Sequence, residues 1–343
     1  MRTIHIRHII PLLLLPLALI SCRETRRKAD ISGIDLDIRI GRFDQRFWTL
    51  DTNDLSRSVA ALKADFPGMT EIYLQHVVQF GHPDSAETWD IYRNFRRDTS
   101  VRRIYTDALE RFADVSSFEK ELTLAFRRAR YFFPDNSIPH IYMHVSGFNQ
   151  SVIVGDGFMS LSEDNYMGSD YPVYDLAMIY GYQKLNMRPE KIVPDFMTVW
   201  LSSEFPMGQQ DYSAPRRLID DIIYHGKTMY MLTLLLPDTD EKTLMGYTDE
   251  QWQWAVDNEP NMWASLISTG DLFTQDVIRR NQYVNDGPFT LPFTQESPPR
   301  GGTFIGWKII EAYMRNHQEI TPLQLMHDND AQRILEDSGY NPR

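Results

Sequence analysis

Cysteine is almost missing from this chain: Cys22 stands alone among 343 residues. A lone cysteine excludes a disulfide within the chain and any Cys-x-x-Cys redox or metal motif. Long apolar runs are missing too. The longest, Ile9 to Ile20, is broken by Pro11 and Pro16 and is too short to cross a ~30 Å hydrocarbon core as a helix. Positive charge is in deficit. Lys and Arg number 35 against 47 Asp and Glu, a formal charge of −12, so nucleic acid and bulk anionic lipid are poor partners. The sequence also has no GxSxG, Walker loop, GxGxxG or HExxH, no low-complexity tract and no repeat with a period of 20 to 50 residues. No cofactor is expected on these grounds.

What is present begins at the amino terminus. Arg2 and Arg7 form a charged region ahead of the Ile9–Ile20 run, and Arg23 to Lys28 are strongly basic. Three uses of Cys22 compete. A disulfide has no partner, and a catalytic thiol needs a folded pocket that a processing segment does not provide. The third use follows from the neighbours: Leu19-Ile20-Ser21-Cys22 resembles the bacterial lipobox. That resemblance implies cleavage before Cys22 and lipid attachment to it. An ordinary signal peptide that happens to contain cysteine is the alternative. Residues 1–21 then read as a lipoprotein signal peptide, 22–32 as a lipidated tether, and 33–343 as one large helix-rich domain. Within that domain, 33–135 forms an N-terminal helical part. Several acyl chains, at ~0.8 kcal/mol per buried methylene, hold a protein firmly on a membrane. Arg23 stands where inner-membrane retention in many bacteria uses aspartate, and no acidic cluster follows. The expected location is therefore the outer membrane, lipid-anchored and facing the periplasm.

Hydrophobic periodicity predicts the elements. Residues 34–40 alternate with period two, a half-buried strand. Apolar spacing of three and four predicts helices over 55–66, 70–80, 86–95, 101–112 and 116–133, the last opened by a capping box at Ser116 and Glu119. Residues 138–145 read as a strand, and 151–154 with 158–161 as a hairpin about Gly155-Asp156-Gly157. Further helices are predicted over 190–205 and from Ser213 and Pro215 to about Leu236, with capping boxes at Thr248/Gln251 and Thr321/Gln324. The fold class is α+β, predominantly helical, with a small sheet.

Chemistry-bearing residues are sparse. His140 and His144 have a zinc-like spacing, but on a strand residues four apart lie ~13 Å from each other and cannot share a metal. Glu204 and Glu259 could line a cleft or could be surface and capping carboxylates. Trp200, Trp252, Trp254, Trp263 and Trp307 could contact a peptide or glycan, or could be core. The arginines between Arg93 and Arg130 read as solvated helix faces paired with carboxylates, or as a docking surface.

Several stretches in their order along the chain carry a family resemblance. They are "HVSGFNQSVIVGDGFMSLSEDNYMG", "DFMTVWLSSEFPM", "RRLIDDIIYHGKTMYML", "YTDEQWQWAVDNEPNMW" and "SPPRGGTFIGWKIIEAYM". Together they resemble the GldB-type gliding-motility lipoproteins of the Bacteroidetes. That resemblance implies an envelope lipoprotein tied to gliding and type 9 secretion, with envelope protein partners and no known reaction. The family in turn looks like a distant relative of zincin-type zinc peptidases, which implies a degenerate zincin-like core over 136–343. Glu204 then falls near where two histidines would stand, and His225-Gly226-Lys227 where an acidic residue would be expected. Zinc needs three or four converging ligands, so a vestigial cleft around Glu204, His225, Lys227 and Glu259 is the expectation and a metallopeptidase the alternative. Asp84-Ser85-Ala86 resembles a Bacteroidetes O-glycosylation site, which would place a glycan on Ser85.

Overall fold

A computed structural model describes residues 29–208 and 215–343. Cys22, and Ser213 as the opening of the long helix, lie outside these residues. The small sheet has the order β1-β2-β4-β3. β1 (Ile40–Gly41), β2 (His140–His144) and β4 (Phe158–Ser162) run parallel, and β3 (Val152–Gly155) pairs antiparallel with β4. The predicted hairpin is therefore present, its turn closed by Gly157 at φ +72°.

The strand expected over 34–40 contracts to Ile40–Gly41. Its alternation is nevertheless real, because Ile38 and Ile40 are buried while Asp35, Asp37 and Arg39 are exposed. The ladder is replaced by side chains of a helix. The Ile38 N–H donates to Thr123 Oγ1, the Ile40 N–H to Glu119 Oε1, and Arg127 Nε donates to the Leu36 carbonyl. The same contacts explain why Ser116 and Glu119 form no capping box. Glu119 is occupied by the incoming segment, and Asp114 accepts from the Ser116 N–H in its place.

The amino-terminal half wraps the sheet with α1 (Phe43–Trp48), α2 (Leu55–Asp65), α3 (Met69–Ile72), α4 (Ala86–Phe95), α5 (Thr99–Arg111) and α6 (Ser116–Phe132). The helix predicted over 70–80 widens into a π turn at Tyr73–Val77. After the sheet come two short helices, α7 (Pro172–Leu176) and α8 (Gly181–Lys184), then α9 (Ile192–Glu204) and α10 (Leu218–Leu235). α10 begins after Pro215, where Asp220 accepts from the Arg217 backbone N–H. The remainder is α11 (Glu241–Met245), α12 (Asp249–Asp257), α13 (Glu259–Thr269), α14 (Val277–Val284), α15 (Gly301–Asn316), α16 (Pro322–His327) and α17 (Ala331–Ser338). Capping boxes at Thr248/Gln251 and Thr321/Gln324 are formed as predicted.

One buried apolar cluster runs from Ile38 to Ile334. Phe126 of α6 lies edge-on to Trp200 of α9 at 5.3 Å, and Arg128 donates to the Leu235 carbonyl at the end of α10. These contacts join the helices before the sheet to those after it. The tightest crossing is α10 on α15. A Cβ on Gly306 would lie 1.9 Å from the Ile222 carbonyl oxygen, and one on Gly226 would lie 2.3 Å from the Gly306 backbone. Only hydrogen at both positions lets the two backbones approach this closely. The glycines of "YHGKT" and "FIGWK" are thus two sides of one helix contact.

Candidate functional site

The residues expected to line a cleft are dispersed. Glu204 is the last residue of α9, and its Oε2 accepts from Asn136 Nδ2 at 2.8 Å. Glu259 opens α13 and accepts from the Tyr340 hydroxyl at 2.9 Å. His225 and Lys227 are two positions apart on α10, about 200° around the helix axis. Burial first, then the charges of Arg300 and Arg216, push the His225 imidazole down to about 4, so it is neutral at pH 7.

Lys227 is buried and donates from Nζ to the carbonyl oxygens of Asp328 at 2.8 Å and Met326 at 3.3 Å. These carbonyls lie at the end of α16, where backbone acceptors lose their helical partners. Burial lowers the ammonium to about 8, leaving it mostly charged at neutral pH. A cavity of about 300 Å³ opens beside it, lined also by Arg216, Asp220, Tyr224 and Asn329. The charged groups there are already engaged. Asp220 pairs with Arg217, while Arg216 pairs with the buried Asp221, which Arg280 holds from the other side. Among the described residues no group of three His, Cys, Asp or Glu is placed to hold a metal ion.

His140 and His144 occupy opposite ends of β2, His140 exposed and His144 fully buried. The densest polar chemistry surrounds His144, at the carboxyl ends of the three parallel strands, where α/β sheets commonly carry their sites. Sequence reasoning missed it. His144 Nδ1 is 2.8 Å from Ser160 Oγ, its Nε2 has no hydrogen-bond partner among the described residues, and burial pushes the ring down to about 3. Tyr73, on the π turn, donates to the Val145 carbonyl and therefore accepts from the Tyr105 hydroxyl at 2.5 Å.

After β1, Arg42 grips Asp44; after β4, Glu163 faces the same pair. Burial, reinforced by the charge of Asp44, holds the Glu163 carboxyl well above its ordinary range. The next residue, Asp164, is organised differently. It accepts from the backbone N–H groups of Ser146 and Phe148 and from Ser162 Oγ, fixing a loop in which Gly147 and Phe148 both have positive φ. Its sequence signal was the acidic pair Glu163-Asp164 directly behind a fully buried strand. Glu163, Asp164 and His144 have no exposed surface, and the arrangement fixes the strand ends.

The tryptophans do not line one cleft either. Trp200 and Trp307 are fully buried, Trp252 packs on Trp307 at 6.1 Å, and Trp263 lies edge-on to Tyr340. Arg93, Arg103 and Arg128 pair with the carboxylates of Asp90, Asp107 and Asp238 as expected, and several arginines also serve backbone carbonyls: Arg96 reaches Leu50, Arg127 Leu36, Arg128 Leu235 and Arg130 Pro134. Ser85 is half-buried at the N-cap of α4 and its side chain caps nothing. A family model described as gliding motility protein GldB matches residues 24–342. No curated protein and no solved structure matches the chain.

Proposed function

The chain belongs to the gliding motility protein GldB family, and from that membership we propose that it is a non-catalytic, lipid-anchored envelope lipoprotein. It works beside the gliding or type 9 secretion machinery, held through Cys22 in the outer membrane and facing the periplasm. The family match over nearly the whole chain carries this reading. Two structural observations support it. Glu204, His225, Lys227 and Glu259 each serve a separate local contact. Conversely, the end of α7 and the segment after it hold apolar side chains in water: Leu176 is 73%, Met178 85% and Tyr180 67% exposed, with Met178 at φ +55°. An apolar tip on a strained but defined backbone suits a protein partner in the envelope.

The zincin-like descent enters only as part of this proposal. A strand and hairpin followed by α9 and α10 has that order of elements, without a matching ligand set. The test uses the full chain in its own envelope. Cys22→Ser is expected to abolish acylation and membrane association together with spreading or secretion, whereas Glu204→Gln leaves both activities intact. Chelator-sensitive cleavage of a peptide library, abolished by Glu204→Gln, would overturn the non-catalytic reading.

A further inference from the structure

The corner between α4 and α5 concentrates positive charge on an otherwise acidic molecule. A cavity of about 420 Å³ there is lined by Arg93, Arg96, Arg97 and Arg102, with Trp48 and Thr106 among its other walls and no acidic residue. Two of the four arginines have work to do. Arg93 pairs with Asp90 at 2.6 Å, while Arg96 donates to the Leu50 carbonyl and lies over the Trp48 ring at 5.3 Å. Among the described residues, no hydrogen bond or ion pair engages the guanidinium of Arg97 or of Arg102. The sequence has 47 Asp and Glu residues, yet among the described residues none lines this cavity.

Like charges around one cavity repel, and an anion placed between them relieves that repulsion. Guanidinium groups present paired N–H donors that match two oxygens of one phosphate at a time. The cavity is much larger than a phosphate, and one wall is Trp48, which stacks on Tyr105 at 4.2 Å and also carries the Arg96 guanidinium over its ring. The indole rim beside a cationic wall suits a phosphate ester with a small polyol body.

We propose that this cavity binds the phosphoryl group of a small phosphorylated polyol, with Arg97 and Arg102 as its main donors and Trp48 against the organic part. The ligand's chemistry is shared by a free phosphate ester and by the headgroup of an anionic lipid. The site stands independently of the proposed envelope role.

The experiment is calorimetric titration of the full chain in neutral detergent with three probes: inorganic pyrophosphate, glycerol 3-phosphate, and phosphatidylglycerol in mixed micelles, with phosphatidylcholine as the blank. Saturable binding is expected, weakening steeply between about 50 and 300 mM salt. The Arg97→Gln/Arg102→Gln variant should bind at least about tenfold more weakly while melting close to the parent, because neither guanidinium has a hydrogen bond or ion pair to lose among the described residues. The Lys pair at the same positions should recover part of the loss, since charge returns without the fork. Glycerol 3-phosphate binding as tightly as the micelles assigns a free ester. Micelles binding at least about tenfold more tightly assign a headgroup. No saturable binding by any probe, or equal binding by parent and Gln variant, overturns the proposal.

Discussion

Lys227 keeps a charge inside the protein because two carbonyl oxygens at the end of α16 accept its hydrogen bonds. Lys227→Met fills similar volume but leaves those acceptors unpaired. Urea unfolding should show a loss of about 1–3 kcal/mol, with envelope activity retained in whatever folds. Glu163 makes a sharper test, because its effect reverses no contact but follows pH. Its folded carboxyl lies above the unfolded value of about 4.3, through burial and the charge of Asp44. The stability it contributes is complete below that unfolded value and is lost as pH rises toward the folded one. Glu163→Gln should therefore match the parent at about pH 4 and below and exceed it increasingly as pH rises toward 8. His144 acts in the opposite sense. Its pKa falls from 6.5 to about 3 on burial, so stability is intact above about 6.5 and declines as pH falls. By pH 4 the decline amounts to about 3 kcal/mol. A melting series of parent, Glu163→Gln and His144→Gln from pH 4 to 8 separates the two.

Among the elements, those with strong apolar periodicity were readable from sequence, and so were the two capping boxes whose glutamines have nothing else to bind. The Ser116 box and the 34–40 ladder failed together for one reason. Glu119, Thr123 and Arg127 on α6 satisfy the backbone of the incoming segment, a competition between distant residues that local spacing does not encode. The motifs "YHGKT" and "FIGWK" were likewise visible as signatures, but their meaning required seeing α10 cross α15. Gly306→Ala places a methyl against the Ile222 carbonyl, where backbone must move. The expected loss exceeds about 3 kcal/mol or prevents folding. Gly181→Ala, at the start of α8 with nothing within 4 Å of the new carbon, should be neutral or stabilise by up to about 1 kcal/mol. Thermal melts of the two variants decide whether the clash or merely glycine's flexibility matters.

For the molecule as a whole, the helix-rich class with its small sheet and the family were legible, whereas the candidate site was not. Glu204, His225, Lys227 and Glu259 were singled out by residue type and order, and the fold sends each to a different neighbour. The nest around His144 and Glu163 is not legible in sequence because three strand ends, at residues 41, 144 and 162, meet only in three dimensions. The apolar tip after α7 gives the proposed envelope role a direct test. Leu176→Ser with Met178→Ser should leave melting within about 2 °C, since neither side chain is buried and exposed changes cost little. Spreading or secretion should fall, and a crosslinked envelope partner should disappear from pull-downs.

The clasp on residues 36–40 bears on mechanics. Any load that reaches the domain from its amino-terminal side arrives at a segment fixed by Thr123, Glu119 and Arg127 and then by the parallel pairing of Ile40–Gly41 with β2. A pull along that segment shears these bonds together instead of opening them one at a time. The first part of the fold to meet tension is thus braced by the 17-residue α6, which passes the strain through Phe126 and Arg128 into α9 and α10 and the centre of the molecule.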